Sequence, residues 1–292
     1  MKVAISSLPK KPWWSDGIIG YKDNPFMKDG TVPDHDLLIK ERLNLIGTLK
    51  KNKIEVVEFP FPTSLEETKF GHDYVFMRDS FISDLNGNIL MLKFAEKKRE
   101  PETKIVANEL EKLNFNLKEL PNEKNILAEG GEFYFCPKDK LLFSGIKRNT
   151  IEGAEYVASF LNANELIIIE TPSFHLDTVF TTIFNKQGKL CAMIVCKELI
   201  TKDSYEKLEG ISRKLNIHII TIPEEDSIGT VSFLGSLAVN SFCAPGLLIS
   251  SSNYSNSFVE EKLRKLGVKI EICSVSQFQL SGGSVHCLTN EL

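Results

Sequence analysis

Residues 177–195 read DTVFTTIFNKQGKLCAMIV. Two apolar, β-branched runs flank Asn-Lys-Gln-Gly, the pattern of a β-hairpin. An amphipathic stretch beginning near Asp203 follows, and then a short strand, HIITIP (218–223). The unit is hairpin, helix, strand, and it recurs. Hairpins are expected over YVFMRDSFISD-LNGN-ILMLKFA (74–95), GEFYF-CPKDK-LLFSGI (131–146) and FLGSLAVNSF-CAP-GLLISSS (233–252). The helices after the four hairpins start near Glu102, Ile151, Asp203 and Ser255, in steps of 49, 52 and 52 residues. The strands FNLKEL, ELIIIE, HIITIP and KIEIC close the units. Ile105, Leu110 and Leu113 in the first of these helices, and Phe258, Leu263 and Leu266 in the last, suit a buried stripe. A fixed period of this length signals a repeat architecture.

The fifth unit is divided between the termini. Strand KVAIS (2–6), helix 36–51 and strand IEVVEF (54–59) stand at the front, and SVHCLT (284–289) supplies an expected strand, Val285–Thr289, at the end. A repeat whose first and last members share one unit implies an α/β ring closed by its terminal segments. No Pro/Gly/Ser linker divides the 292 residues, so one domain over 1–292 is expected.

Composition narrows the function. The chain is 42% hydrophobic and 25% charged, with a net charge of −4, an ordinary globular balance. Its acidic balance argues against nucleic-acid and membrane partners, and no run reaches a membrane span. The N-terminus does not read as a secretory signal, so a cytoplasmic location is expected. The cysteines at 136, 191, 196, 243, 273 and 287 form no C-x-x-C pair. Reduced, buried thiols are the expectation for most of them. Cys287, after the turn SGGSVH, differs in its surroundings.

Polar groups that interrupt apolar runs require partners if buried. They are Asp79 in VFMRDSF, Glu129 in LAEGGEFYF, His175 and Asp177 in SFHLDTVF, and Cys287. Asp79 to Glu129 is 50 residues, Glu129 to His175 is 46, and His175 to Cys287 is 112, or two steps of 56. In a ring, groups at this period converge on the axis. A thiol becomes a nucleophile beside positive charge. A histidine moves protons near neutral pH, and a carboxylate fixes its ring. Two further carboxylates, Asp79 and Asp177, suit a planar cation, and a guanidinium matches carboxylates bidentately. A small-molecule guanidine attacked at its central carbon by Cys287 is therefore expected. No metal and no organic cofactor is expected.

These motifs resemble the pentein superfamily of guanidino-group-modifying enzymes, which includes arginine deiminase, agmatine deiminase, dimethylarginine dimethylaminohydrolase and the amidinotransferases. The resemblance covers nearly the whole chain, most clearly Asp73 to Cys287. It implies a five-bladed ββαβ α/β-propeller. HLDTVFT (175–181) is the sharpest motif and is most similar to arginine deiminase. EGGE (129–132) matches a pattern that usually ends in Asp, and GGSVHC resembles the strand bearing the nucleophile. GIKRNTIEGAEYVA (145–158) resembles the segment whose arginine, here Arg148, grips a substrate carboxylate. The compact length, and an acid like Asp73 six residues before Asp79, resemble the dimethylarginine hydrolases. Those enzymes usually lack the acid of HLD and carry Glu where this chain has Arg78.

The balance favours a hydrolase acting on C–N bonds of arginine or a close derivative. Cys287, His175 and Glu129 are the expected catalytic residues, and Asp79, Asp177, Arg148 and Asp73 the substrate-binding ones. The alternatives are a dimethylarginine hydrolase, an amidinotransferase and a catalytically silent pentein binding module. A homo-oligomer is compatible with the sequence. His286, alternating with Cys287 along a strand, is expected to face away from the pocket, and Arg99 in EKKRE to be solvated, although the matching region in the dimethylarginine hydrolases it resembles contacts carboxylate. Segment 10–36, rich in aromatics, Gly and Pro, reads as a connecting loop or a lid.

Overall fold

The computed structural model describes residues 1–68, 71–230 and 232–292. Along the chain come β1 (Lys2–Ser6) and β2 (Glu55–Phe59), followed by four local units. These are β3 (Phe81–Ser83), β4 (Asn88–Met91) and β5 (Asn116–Glu119); β6 (Phe133–Cys136), β7 (Leu141–Gly145) and β8 (Glu165–Ile169); β9 (Phe180–Phe184), β10 (Leu190–Cys196) and β11 (His218–Ile222); and β12 (Phe242–Ala244), β13 (Leu247–Ser250) and β14 (Lys269–Ile272). The last strand is β15 (Asn290–Glu291). Each local unit is a three-stranded sheet whose middle strand pairs antiparallel with the first and parallel with the third. The fifth sheet has the same pattern in permuted order, β1 lying antiparallel to β15 and parallel to β2. The chain thus forms five ββαβ blades, the pentein propeller, and its two ends close the ring.

A parallel pair needs a crossover, and each blade uses a helix for it. These helices are His35–Lys51, Glu100–Lys112, Ile151–Phe160, Lys202–Leu215 and Ser257–Lys265. Asp34, Thr150, Thr201 and Asn256 accept N–H bonds from the first turns of four of them, which is why these helices start where the period places them. The buried stripes are narrower than expected. Leu113 is 43% exposed and Phe258 56%, because Leu113 caps its helix beyond the last turn and Val259 and Leu263 take the inner face of the other.

Four inner strands open on a buried phenylalanine: Phe81, Phe133, Phe180 and Phe242. Short helical turns precede three of them: Met77–Ser80, Gly130–Glu132 and Leu176–Thr178. The first hairpin is accordingly shorter than expected, since residues 74–80 run through helical turns and only Phe81–Ser83 extends. The C-terminal expectation also changes. Val285–Leu288 is a helical turn, and the closing strand is Asn290–Glu291. Asn290 donates to the carbonyls of Met77, Arg78 and Phe81 at 3.1, 3.2 and 2.8 Å, tying the last strand to the β3 blade. Arg78 pairs with Glu291 rather than with its neighbour Asp79. Among the described residues no helix is long and apolar enough to cross a membrane.

Candidate active site

The segment entering each inner strand carries a buried polar group: Asp79 before β3, Glu129 before β6, Asp177 before β9, Asn240 before β12 and Cys287 before β15. Asn240 was missed in the sequence reading. It lies between His175 and Cys287, inside the double step of 112 residues, as a lone amide in the apolar run LAVNSF.

Cys287 sits at a turn that needs its glycines. Gly282 has φ +83°, and a Cβ there would lie 2.2 Å from Asn24 Nδ2. Asn240 holds the turn through its side chain. Its Oδ1 accepts from the N–H groups of His286 and Cys287 at 3.1 and 3.3 Å, and its Nδ2 donates to Cys287 Sγ at 3.2 Å. On the other side the thiol reaches Asp177 Oδ2 at 3.3 Å. The same oxygen meets His286 Nδ1 at 2.8 Å, and the His286 ring stacks on Tyr134 with centroids 4.8 Å apart. His286 therefore faces Asp177 beside the Cys287 thiol, contrary to the strand expectation. A helical turn does not alternate sides as a strand does. Burial and the Arg78 charge hold its pKa below the usual histidine value, so the neutral ring donates Nδ1–H to Asp177. Burial opposes ionisation of Asp177, but the hydrogen bond from His286 and the charge of His175 hold its pKa below the usual value. Its second oxygen, Oδ1, is buried without a partner. Burial and the charges of Asp177 and Asp79 push the Cys287 thiol well above its ordinary range.

His175 Nε2 lies 2.7 Å from Glu129 Oε2, and its Nδ1 lies 3.8 Å from Asp79 Oδ1. Burial alone would lower its pKa, but Asp79 and the Glu129 hydrogen bond raise it to about 9. Glu129 moves the opposite way: burial disfavours its charge, and His175 and Arg148 hold it ionised far below the carboxylate range. Asp79 accepts from Gly131 N at 3.0 Å and from Arg99 Nη1 at 2.6 Å. Arg99 is buried, not solvated. It also forks onto Glu102, donates to Asp73 O and lies over the Phe94 ring. The charge run hid this because its partners are mainly contacts made by folding. Glu132 accepts from Arg148 N at 2.9 Å and Leu176 N at 2.8 Å, so it braces two neighbouring segments. Burial raises it to about 7.

Asp73, Asp79, Arg148, His175 and Cys287 line one pocket together with Tyr21, Arg99 and Phe174. Glu129 stands behind His175, and Asp177 touches the thiol. Asp73 Oδ1 accepts from the Ser281 hydroxyl. The pocket's cavity volume is about 30 Å³, room for ordered water. Segment 10–34 borders it through Tyr21 and Asn24, and Asp23 of that segment pairs with Arg148. Asp79, Glu129 and His175 offer ligand atoms within 4.8 Å of one another. Arg99 and Arg148 already neutralise the two carboxylates, so a metal ion there would face two guanidinium groups.

Three solved structures share the fold. The N-terminal domain of ArgZ, an arginine dihydrolase from the ornithine–ammonia cycle in cyanobacteria, bound to substrate, has TM-score 0.78 and 21% identity over 99% of this chain and 96% of that one. AgrE in ternary complex with ornithine and NAD+ has TM-score 0.79 and 20% identity, over 99% of this chain and 39% of that one. A dimethylarginine dimethylaminohydrolase adduct with 4-chloro-2-hydroxymethylpyridine has TM-score 0.71 and 16% identity, over 100% and 99%. No curated protein matches the chain. The family model described as N,N dimethylarginine dimethylhydrolase, eukaryotic, matches residues 23–292. Taken with the five blades and the converging polar groups, that match shows that the chain belongs to the eukaryotic N,N dimethylarginine dimethylhydrolase family.

Proposed function

We propose that the chain is one catalytic unit, a hydrolase that cleaves C–N bonds in the guanidinium group of arginine or a close derivative through a covalent intermediate on Cys287. The observation that carries the reading is the seat of Cys287. A buried thiol lies between a carboxylate and an amide, and it shares a pocket with a histidine kept protonated by two acids. At rest the anionic groups oppose thiolate formation. A bound guanidinium reverses that field, so the thiol releases its proton to water and the nucleophile forms when the substrate arrives. Asp79 and the open Oδ1 of Asp177 accept its N–H groups.

The Cys287 thiolate forms a C–S bond at the central carbon. The C–N bond breaks as His175 gives its proton to the departing nitrogen, leaving a thiouronium on Cys287. His175 then takes a proton from water, whose oxygen adds to the carbon. The C–S bond breaks and the thiolate returns. Glu129 holds the imidazole throughout, and every proton is moved by the chain and water. Arg148 takes the substrate carboxylate, and Asp73 lines the same pocket.

A second reading rests on the family match: dimethylarginine as substrate. Asp177 argues for an unmethylated guanidine, because each N-methyl removes a donor that its buried oxygen needs. The test is incubation with arginine, methylarginines, agmatine and guanidino acids, with products identified by mass. A ureido product marks one bond broken, and an amine without the guanidine carbon marks two. Failure to turn over any guanidine refutes the proposal.

A further inference from the structure

Segment 10–34 is anchored at both ends of its path across the pocket. Trp13 and Trp14 are buried. Trp13 donates from Nε1 to His72 O at 2.8 Å and packs on Phe76 and Phe278. Farther along, Asn24 Nδ2 donates to Ser281 O at 3.2 Å, beside the glycines of the Cys287 turn. Between these anchors Asp23 takes the fork of Arg148. Nε donates to Oδ2 at 3.1 Å, and Nη2 donates to Oδ1 and Oδ2 at 3.0 and 2.9 Å. Arg148 is 9% exposed in its side chain and Asp23 40%. The remaining polar contact of the guanidinium is Glu129 Oε2 at 3.3 Å.

We infer that Asp23 is a specificity-determining residue, an internal carboxylate that competes with the substrate's own carboxylate for Arg148. This rests on the proposed function. The planar fork accepts one carboxylate bidentately at a time. A ligand with a carboxylate must displace Asp23 from the fork as it enters. After cleavage the product keeps that carboxylate, and Asp23 reclaims the fork as product leaves. A guanidine without a carboxylate leaves the fork to Asp23, so the pair reforms over it. Asp23 therefore lowers affinity for arginine selectively and sets how strongly the site prefers it to the decarboxylated analogue agmatine.

The test compares arginine and agmatine in the wild type and in Asp23→Asn, which keeps the size of the side chain and removes its charge. KM for arginine falls roughly two- to fivefold, the range of a partly exposed ion pair, while kcat holds within about twofold and KM for agmatine is unchanged. Affinity is read separately in the Cys287→Ala background, from the fluorescence of Trp13 and Trp14, with arginine and agmatine as probes. There Asp23→Asn tightens arginine alone. An equal gain for both ligands means a loosened segment, not competition, and overturns the inference. So does a rise in the KM or dissociation constant of arginine. Absence of turnover by the wild type, with selective tightening of arginine still seen by fluorescence, sinks the proposed reaction and leaves the competition standing.

Discussion

Replacing Asn240 by alanine isolates the contribution of the clamp on Cys287. The substitution removes one acceptor and one donor. His286 N retains a second partner, the Asn240 carbonyl at 3.3 Å, whereas Cys287 N has no other acceptor within its turn. One orphaned buried N–H costs about 1–3 kcal/mol, and at this chain length each kcal/mol lowers the melting temperature by roughly 2–4 °C. A loss of roughly 2–12 °C is therefore expected. The catalytic effect is separate. The Nδ2–H bond to sulfur strengthens when the thiol ionises, and a hydrogen bond to a charged group contributes about 1.5–3 kcal/mol, so kcat/KM falls roughly 10- to 150-fold. Calorimetry measures the first effect and steady-state kinetics the second. Iodoacetamide trapping as a function of pH adds a third, with the Cys287 titration moving upward. A folded variant with kcat/KM within threefold of wild type refutes the assignment of Asn240 to the thiolate.

The remaining expectations concern protons, metal and methyl groups. His175, raised to about 9, acts as an acid, so activity falls as pH rises through about 9. Its folded pKa exceeds the unfolded value of about 6.5, so the associated stability is complete below about 6.5 and is lost as pH climbs to about 9; His175→Gln abolishes that slope in melting curves. Activity survives prolonged EDTA treatment unchanged, because guanidinium groups occupy the carboxylates of the candidate metal cluster found among the described residues; loss restored by a divalent ion contradicts this. Arginine exceeds asymmetric dimethylarginine in kcat/KM by roughly tenfold to several hundredfold, from about 1–3 kcal/mol or more for an unmatched buried carboxylate. Asp177→Ala loses most activity and narrows the ratio, whereas a wild-type preference for dimethylarginine reverses the reading of Asp177.

The architecture was largely legible because burial patterns repeat. Helix starts expected at Glu102, Ile151, Asp203 and Ser255 fall within two residues of Glu100, Ile151, Lys202 and Ser257, since capping residues and apolar spacing are local signals. The Val285–Thr289 strand failed because SVHC begins in strand-like alternation, whereas the bonds that wind the segment into a turn come from Asn240, far away in sequence. Arg99 failed for a related reason. A run of charges describes a solvated face until the fold brings Asp79 and the carbonyl of Asp73 beside it. Asn240 kept the period only loosely: it lies 65 residues after His175 and 47 before Cys287, so an even division of the double step falls nine residues short of it. Asp23 carried no local signal at all, because its meaning lies in a partner 125 residues away.

The central claim is a covalent bond between Cys287 and the guanidine carbon. Arginine is mixed with the His175→Ala protein, in which release of the adduct is slowed, the mixture is quenched in acid, and the intact mass is measured before peptide mapping. The account expects a mass increase equal to arginine less ammonia, placed on the peptide holding Cys287 and absent from Cys287→Ser, which also fails to turn over while still binding substrate. Turnover by Cys287→Ser, or an adduct on another residue, contradicts it.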